Sequence, residues 1–126
     1  MGENRIKLVA ADMDGTLLNR ERKITKYTQN VIKKAMAQGV YFVPATGRAV
    51  NALPPELKEM EGIRYGIFSN GATIYDLKEE KVIYKNHFEM DRVLELMDFL
   101  KQFDLMERIS LNGQSYANKK EMENID

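Results

Sequence analysis

The chain contains no cysteine and only one histidine among its 126 residues. Without cysteine it can form no disulfide framework, no thiolate nucleophile and no cysteine-based zinc or iron–sulfur site. It also lacks an excess of charge, since 19 Lys and Arg residues balance 19 Asp and Glu residues. A neutral chain exerts no long-range attraction on nucleic acid or on an anionic membrane surface, so we expect neither as a partner.

Long apolar runs are missing as well. The longest strictly aliphatic stretch near the start is Leu8-Val9-Ala10-Ala11, far short of a signal-peptide core or a membrane span. Ile6 stands where an N-myristoylation signal requires Ser or Thr. We therefore expect a cytoplasmic protein, and the length by itself suits one ordinary domain.

The first segments alternate between strand and helix patterns. Residues 6–12 are apolar at both parities from Leu8 onward, which is typical of a parallel strand buried on both faces. A helix is predicted over 26–38, with Thr25 as its cap and Gly39 as its stop. The residues predicted to share its apolar face are Tyr27, Val31, Ile32 and Ala35.

Two further strands are predicted over 40–43 and 65–69, with Pro44 near the end of the first. Between them, Pro54-Pro55 should divide residues 49–60 into two short helical pieces or kink one helix. This order predicts an α/β fold in which helices cover the faces of a parallel sheet.

The character of the sequence changes at 86–88. Before it, residues 73–76 and 82–84 predict a β-hairpin; after it, an amphipathic helix is predicted over 91–103, with an apolar stripe of Val93, Leu96, Met97, Leu100 and Phe103. A strand pair over 107–111 and 114–118 should turn at Asn112-Gly113. We predict two parts, 1–86 and 87–126.

Three polar clusters follow the three predicted strands. Asp12 and Asp14 come after the first, Thr46-Gly47-Arg48 after the second and Ser69-Asn70-Gly71 after the third. Because ligands of open α/β sheets bind beyond the carboxyl ends of the strands, these clusters should share one rim. Two carboxylates two residues apart can divide the work of nucleophile and proton carrier, and Mg²⁺ favours such oxygen ligands.

Each cluster taken alone also has a simpler interpretation. Asp and Gly favour turns, so Asp12-Met13-Asp14-Gly15 can be a turn only, and the same holds for Asn70-Gly71. Thr46-Gly47-Arg48 alone is more typical of a loop. No base–nucleophile or metal-ligand spacing surrounds His87, which favours a surface or hinge position for it.

Together, the clusters resemble the haloacid dehalogenase (HAD) superfamily, and within it the Cof-type sugar-phosphate phosphatases, which carry a large inserted cap. The resemblance covers about residues 5–88. It rests on Asp12-Met13-Asp14-Gly15-Thr16-Leu17-Leu18, Ala45-Thr46-Gly47-Arg48 and Ser69-Asn70-Gly71-Ala72. It implies the N-terminal half of a Rossmann-like core, followed by the beginning of an α+β cap.

The resemblance also implies a reaction, the hydrolysis of a small phosphorylated metabolite through an aspartyl-phosphate intermediate. Asp12 would be the nucleophile and an Mg²⁺ ligand, and Asp14 would act as acid and base while its backbone carbonyl also reaches the metal. Thr46 would bind the transferring phosphoryl group. Gly47, Arg48, Asn70 and Gly71 would line the substrate side.

Two motifs of that family are missing from the sequence, and both would follow the cap. One is a lysine that steadies the nucleophile; the other is an acidic Gly-Asp loop that completes the metal site, and the chain has no Gly-Asp pair. Lys119-Lys120 stands in cap-like sequence. The resemblance thus implies a chain that stops within the cap and is impaired as an enzyme.

Two other hypotheses remain open at this level. The chain can be a non-catalytic fragment that self-associates, through an exposed sheet edge or the cap helix, or that complements a separate second half. It can also be a phosphorylated signalling receiver, but there the acceptor Asp closes the third strand, where this chain has Ser69-Asn70-Gly71.

Overall fold

A computed structural model describes residues 5–111 and 114–118. The larger of its two sheets has the order β1-β2-β3-β4-β5, and the smaller one pairs β6 with β7. The strands are β1 (Leu8–Asp12), β2 (Tyr41–Ala45), β3 (Tyr65–Phe68), β4 (Thr73–Asp76), β5 (Lys81–Lys85), β6 (Arg108–Leu111) and β7 (Gln114–Ala117). The helices are α1 (Lys26–Ala37), α2 (Pro55–Lys58) and α3 (Met90–Leu100).

The predicted α/β class is confirmed. β1, β2 and β3 run parallel, and β4 and β5 add an antiparallel hairpin as predicted. The Thr25 hydroxyl accepts a hydrogen bond from the Thr28 N–H at the start of α1, and Gly39 adopts a left-handed φ of 82° after its end. The two-proline segment forms two short pieces, a 3₁₀ turn over Val50–Ala52 and α2.

The chain separates into two compact units, Met1–Lys85 and Asn86–Asp126. The second unit holds α3, which ends at Leu100 rather than at the predicted residue 103, and the predicted strand pair. The predicted turn at Asn112-Gly113 and the residues Lys119-Lys120 lie outside the described part of the chain. No helix among the described residues is long and apolar enough to cross a membrane.

The expectation that β1 is buried on both faces is wrong for this chain. Within the described part of the chain, β1 pairs only with β2 and forms one edge of the sheet, so Leu8, Val9 and Ala10 are exposed. The apolar pattern is that of an interior strand, but an edge strand has no neighbour on one side to shield it.

The apolar face predicted for α1 is also partly wrong. Tyr27 is 79% exposed and Val31 is 48% exposed, whereas Ile32 is buried. Met36, one turn after Ile32, packs against the core. The helix is therefore rotated relative to the predicted stripe, because its periodicity fits two overlapping faces and the sheet selects one of them.

β2 extends through Pro44 to Ala45, two residues beyond the predicted end at residue 43. The core of the first unit lies on one face of the sheet, where Phe42 of β2 and Phe68 of β3 meet Ile32 of α1 and Leu57 of α2. Ala11 of β1 packs against the same core. The parallel pairing of β1 with β2 and of β2 with β3 places their carboxyl ends side by side.

Candidate active site

The turn after β1 presents two carboxylates to solvent and one apolar side chain to the core. Met13 is fully buried, while Asp12 and Asp14 on either side of it are exposed. Gly15 takes a left-handed φ of 78°, and the Leu18 N–H closes the turn on the Met13 carbonyl at 2.9 Å. Burial of Met13 therefore anchors the turn so that the two acids face outward.

The Asp12 carboxylate is oriented from within the same turn. The Thr16 hydroxyl donates to Asp12 Oδ2 at 3.1 Å. Thr16 lies in the motif that the sequence analysis singled out, but no role was predicted for it. A hydroxyl four residues after an acid is the only sequence signal for this hydrogen bond. The spacing alone does not predict the contact, because it depends on how the turn brings the two side chains together.

Asp14 is held by Arg48, which lies 34 residues further along the chain. Arg48 Nε donates to Asp14 Oδ2 at 2.9 Å and Arg48 Nη2 donates to Asp14 Oδ1 at 2.5 Å, so the pair is bidentate. These hydrogen bonds, together with the positive charge, hold the pKa of the Asp14 carboxyl below its ordinary value. The same contact raises the pKa of the Arg48 guanidinium.

The loop after β2 is built around Thr46, which is buried. The Arg48 N–H donates to Thr46 Oγ1 at 3.1 Å, and the Thr46 N–H donates to the Ile67 carbonyl of β3 at 2.9 Å. A hydroxyl oxygen that already accepts from Arg48 can still donate its own hydrogen elsewhere. The loop thereby holds one side-chain donor at the sheet rim.

The loop after β3 interlocks with the loop after β2. The Ser69 N–H donates to the Arg48 carbonyl at 3.0 Å, and the Asn70 N–H donates to the Thr46 carbonyl at 3.2 Å. Ser69 and Asn70 have positive φ angles of 50° and 55°, and Gly71 follows with 92°. Three successive left-handed residues are uncommon, and such strain persists where surrounding contacts enforce it.

A close approach explains glycine at position 47. A Cβ built on Gly47 would lie 2.7 Å from Asn70 Oδ1, which is closer than packed atoms tolerate.

The structure brings together all seven predicted site residues. β1 and β2 pair at Asp12 and Ala45, Arg48 bridges back to Asp14, and the loops of Thr46 and Asn70 are hydrogen-bonded.

This rim offers oxygen atoms that could bind a hard cation such as Mg²⁺. Asp12 offers an exposed carboxylate, and Mg²⁺ commonly binds one or two carboxylates while keeping several waters. Among residues 5–111 and 114–118, no group of three or more His, Cys, Asp or Glu side chains is clustered to hold a metal. The exposed Asp12 carboxylate thus fits an Mg²⁺ ion that keeps several waters in its coordination shell.

The fold and this rim define a class of protein: a Rossmann-like α/β domain with an acidic and hydroxyl-bearing site at the carboxyl ends of parallel strands. Residues 9–126 match the model of a haloacid dehalogenase-like hydrolase family, so the chain belongs to that family. The predicted family and the Rossmann-like HAD core are confirmed.

The chain is similar to named phosphatases over most of its length. A provisionally named phosphatase of Buchnera aphidicola from Schizaphis graminum is 38% identical over 121 residues, which are 94% of this chain and 43% of that protein. The 5-amino-6-(5-phospho-D-ribitylamino)uracil phosphatase of Bacillus subtilis is 37% identical over 89 residues, covering 68% of this chain and 36% of that enzyme.

A solved sugar phosphatase of HAD subclass IIB has a similar structure. It matches with a TM-score of 0.76 at 26% identity, over 94% of this chain and 47% of its own. The chain therefore spans less than half the length of each of these three proteins.

Proposed function

We propose that this chain carries the nucleophile and acid–base half of a Cof-type, Mg²⁺-dependent phosphomonoesterase. Its substrate would be a small phosphorylated metabolite of the sugar-phosphate type, and the cytoplasm would be its place of action. One observation carries the proposal: in a HAD-family chain, Asp12, Asp14, Thr46 and Arg48 meet on one rim of the sheet. The unit from Asn86 onward would begin the cap.

Asp12 would attack the phosphorus atom of the substrate. The Thr16 hydroxyl holds one of its carboxylate oxygens, which fixes the rotamer and leaves the other oxygen to form the bond. As this bond forms, the bond from phosphorus to the leaving alcohol breaks. The product of this step would be a phosphoryl group on Asp12, which water then removes.

Asp14 would carry the proton in both steps. It would protonate the leaving alcohol and then, as a carboxylate, accept a proton from the attacking water. The ion pair with Arg48 favours the carboxylate form that the second step requires. Because the first step requires the protonated acid, Arg48 would release Asp14 and turn toward the phosphorylated substrate when that substrate binds.

Thr46 would hold the transferring group. Its hydroxyl oxygen accepts from the Arg48 N–H, so its hydrogen is available to a phosphoryl oxygen. Gly47, Asn70 and Gly71 would form the adjoining wall of the substrate pocket. The hydrogen bonds between their loops preorganise this wall, and phosphoryl transfer depends mainly on such positioning.

Asp12, through its carboxylate, and Asp14, through its backbone carbonyl, would hold the Mg²⁺ ion, which would neutralise oxygen charge on the phosphoryl group. The family's lysine and acidic Gly-Asp loop are missing from the chain. We therefore propose that the chain by itself is impaired, with little or no Mg²⁺-dependent hydrolysis of a generic phosphomonoester.

A hybrid enzyme tests the function. The matched segment of the Bacillus subtilis phosphatase is replaced by the corresponding segment of this chain, and hydrolysis is measured with and without Mg²⁺. We expect Mg²⁺-dependent turnover, lowered on the order of a thousandfold or more by Asp12→Asn. Asp14→Asn should lower it by about 10²–10⁴-fold. Glu61→Gln, at an exposed carboxylate away from the rim, is the control and should leave the rate unchanged.

A hybrid that folds and retains its rate after Asp12→Asn would contradict the assigned nucleophile. Robust turnover by the 126-residue chain alone would contradict the proposed impairment.

A further inference from the structure

A second tight turn, over residues 19–23, directly follows the turn that carries the two acids. The Asn19 N–H donates to the Lys23 carbonyl at 3.0 Å, and the Arg22 N–H donates to the Asn19 carbonyl at 2.9 Å. The Asn19 side chain reinforces this turn, because its Oδ1 accepts from the Glu21 N–H at 3.0 Å and from the Lys23 N–H at 2.9 Å. Four hydrogen bonds thus hold five residues in one conformation, and we call the segment the 19–23 turn.

Both ends of the 19–23 turn are anchored in the core. Leu18, which precedes it, is 6% exposed, and Ile24, which follows it, is 4% exposed. The Leu18 N–H donates to the Met13 carbonyl, so Leu18 closes the first turn and begins the second. Buried contacts therefore set the position of the 19–23 turn beside the candidate site.

Arg22 has a backbone conformation that arginine rarely adopts. Its φ angle is 60°, in the left-handed region that glycine enters without cost and that a residue with a Cβ enters only under strain. Strain of this kind persists where the surrounding contacts enforce it, and it is common at ligand-binding positions. The hydrogen bonds of the 19–23 turn supply those contacts at Arg22.

The positive charge of Arg22 reaches the candidate site. Besides the hydrogen bonds from Arg48, the charge of Arg22 lowers the pKa of the Asp14 carboxyl. Arg20, two residues earlier on the same turn, is not among the charges that lower it. The guanidinium of Arg22 therefore lies within electrostatic reach of Asp14.

Arg48 and Arg22 differ in what they bind. Arg48 donates two hydrogen bonds to Asp14 and a third, at 3.3 Å, to the Ala52 carbonyl. Among the residues that the structure describes, the Arg22 guanidinium makes no hydrogen bond or ion pair. Arg22 thus brings an exposed cation with unused N–H donors to the rim.

The proposed reaction indicates which part of a substrate would meet this cation. Asp14 would protonate the leaving alcohol, so a cation close to Asp14 would lie on the side of the leaving group. Negative charge on the leaving group would be repelled by the Asp14 carboxylate, and Arg22 would offset this repulsion. A neutral leaving group requires no such partner.

We propose that Arg22 is a specificity residue that binds a second anionic group, such as a carboxylate, on the leaving-group part of the phosphorylated substrate. The 19–23 turn would preorganise Arg22 for this contact. The inference rests on the proposed function for the side on which the leaving group lies, and its test measures binding without turnover.

Two probes of similar size test the proposal. They are glycerol 3-phosphate and 3-phosphoglycerate, which carries a carboxylate where the first has a hydroxymethyl group. Binding of each probe to the 126-residue chain is measured with Mg²⁺ present by nuclear magnetic resonance titration. We expect 3-phosphoglycerate to bind about fivefold more tightly, as one well-oriented exposed ion pair allows. Arg22→Gln should remove this preference, and Arg22→Lys, which keeps the charge, should retain most of it.

Arg20→Gln is the matched control. Arg20 has the same charge on the same turn and is exposed as Arg22 is, but its charge is not one of those that act on Asp14. It should leave the preference for 3-phosphoglycerate unchanged. Circular dichroism should show that all three variants fold as the parent does.

Equal affinity of the parent chain for the two probes would overturn the proposal. An equal loss of preference in Arg20→Gln would also overturn it, because the effect would then come from the summed charge of the turn. Equal weakening of both probes by Arg22→Gln would do the same, since Arg22 would then meet the phosphoryl group. If this chain prefers 3-phosphoglycerate through Arg22 but the hybrid enzyme hydrolyses neither probe, the proposed function is contradicted and this proposal is supported.

Discussion

Arg48 gives the two acids of the Asp12–Asp14 turn different surroundings. Asp14 makes a bidentate ion pair with the Arg48 guanidinium, whereas Asp12 accepts a hydrogen bond from the neutral Thr16 hydroxyl. Both acids are short side chains on one turn, so the difference comes from a residue of another strand. Asymmetric surroundings of this kind allow two chemically identical groups to serve as nucleophile and proton carrier.

A third carboxylate, Asp76, is structural. It is 2% exposed and accepts from the Lys78 and Glu79 N–H groups at 3.0 Å and from Arg64 Nε at 3.1 Å. The Glu79 N–H is the largest cause that lowers the pKa of this carboxyl, and burial opposes it. Asp76 therefore fixes the turn between β4 and β5.

Because the folded-state pKa of Asp76 is lowered, its stabilising contribution is complete above the ordinary value of 3.8 and is lost as the pH falls through it toward the folded value. We expect Asp76→Asn to lower the urea midpoint at pH 7 and to flatten the decline in stability below pH 4. Urea unfolding followed from pH 7 to pH 3 measures both. Glu61→Gln should match the parent, and an unchanged acid slope in Asp76→Asn would contradict the assignment.

The contact between Gly47 and Asn70 predicts a coupled pair of substitutions. Gly47→Ala should destabilise the chain by about 1 kcal/mol or less, since its Cβ meets Asn70 Oδ1 and the exposed Asn70 side chain must turn aside. Combined with Asn70→Ala, which removes that oxygen, the same change should cost less. A double-mutant cycle in urea measures the coupling, and strictly additive effects would show that a side chain at position 47 does not meet the Asn70 side chain.

At the scale of elements, alternation and turn residues predicted most of the fold. The hairpin, the two short helical pieces and the cap of α1 follow from local chemistry, and local signals suffice for them. The exposure of β1 and the rotation of α1 were predicted wrongly. Both depend on which elements of the fold pack against β1 and α1, and the hydrophobic pattern within one segment does not contain that information.

The rotation of α1 makes a direct prediction. Ile32→Ala should destabilise the chain by about 2–5 kcal/mol, because it empties a buried site between α1 and the sheet. The neighbouring Val31→Ala should change stability by about 0.5 kcal/mol or less, since Val31 is exposed. Thermal or urea unfolding compares the two variants. A larger loss of stability in Val31→Ala than in Ile32→Ala would contradict the observed orientation of α1.

At the scale of the whole molecule, motif order predicted the family and the gathering of the site residues. The positions of the clusters along the sequence were sufficient to predict that they meet, because each cluster follows a parallel strand and parallel strands end on one rim of the sheet. The Arg48–Asp14 ion pair and the strained Ser69–Gly71 turn were not predictable, since they arise from contacts between loops.

The central claim is that Asp12 becomes phosphorylated during turnover. In the hybrid enzyme, a rapid acid quench during substrate hydrolysis, borohydride reduction and peptide mass spectrometry would convert a phosphorylated aspartate to homoserine and locate it. We predict homoserine at position 12, formed only when substrate and Mg²⁺ are present and absent from the Asp12→Asn variant. Active turnover with no homoserine, or with homoserine at position 14, would contradict the account.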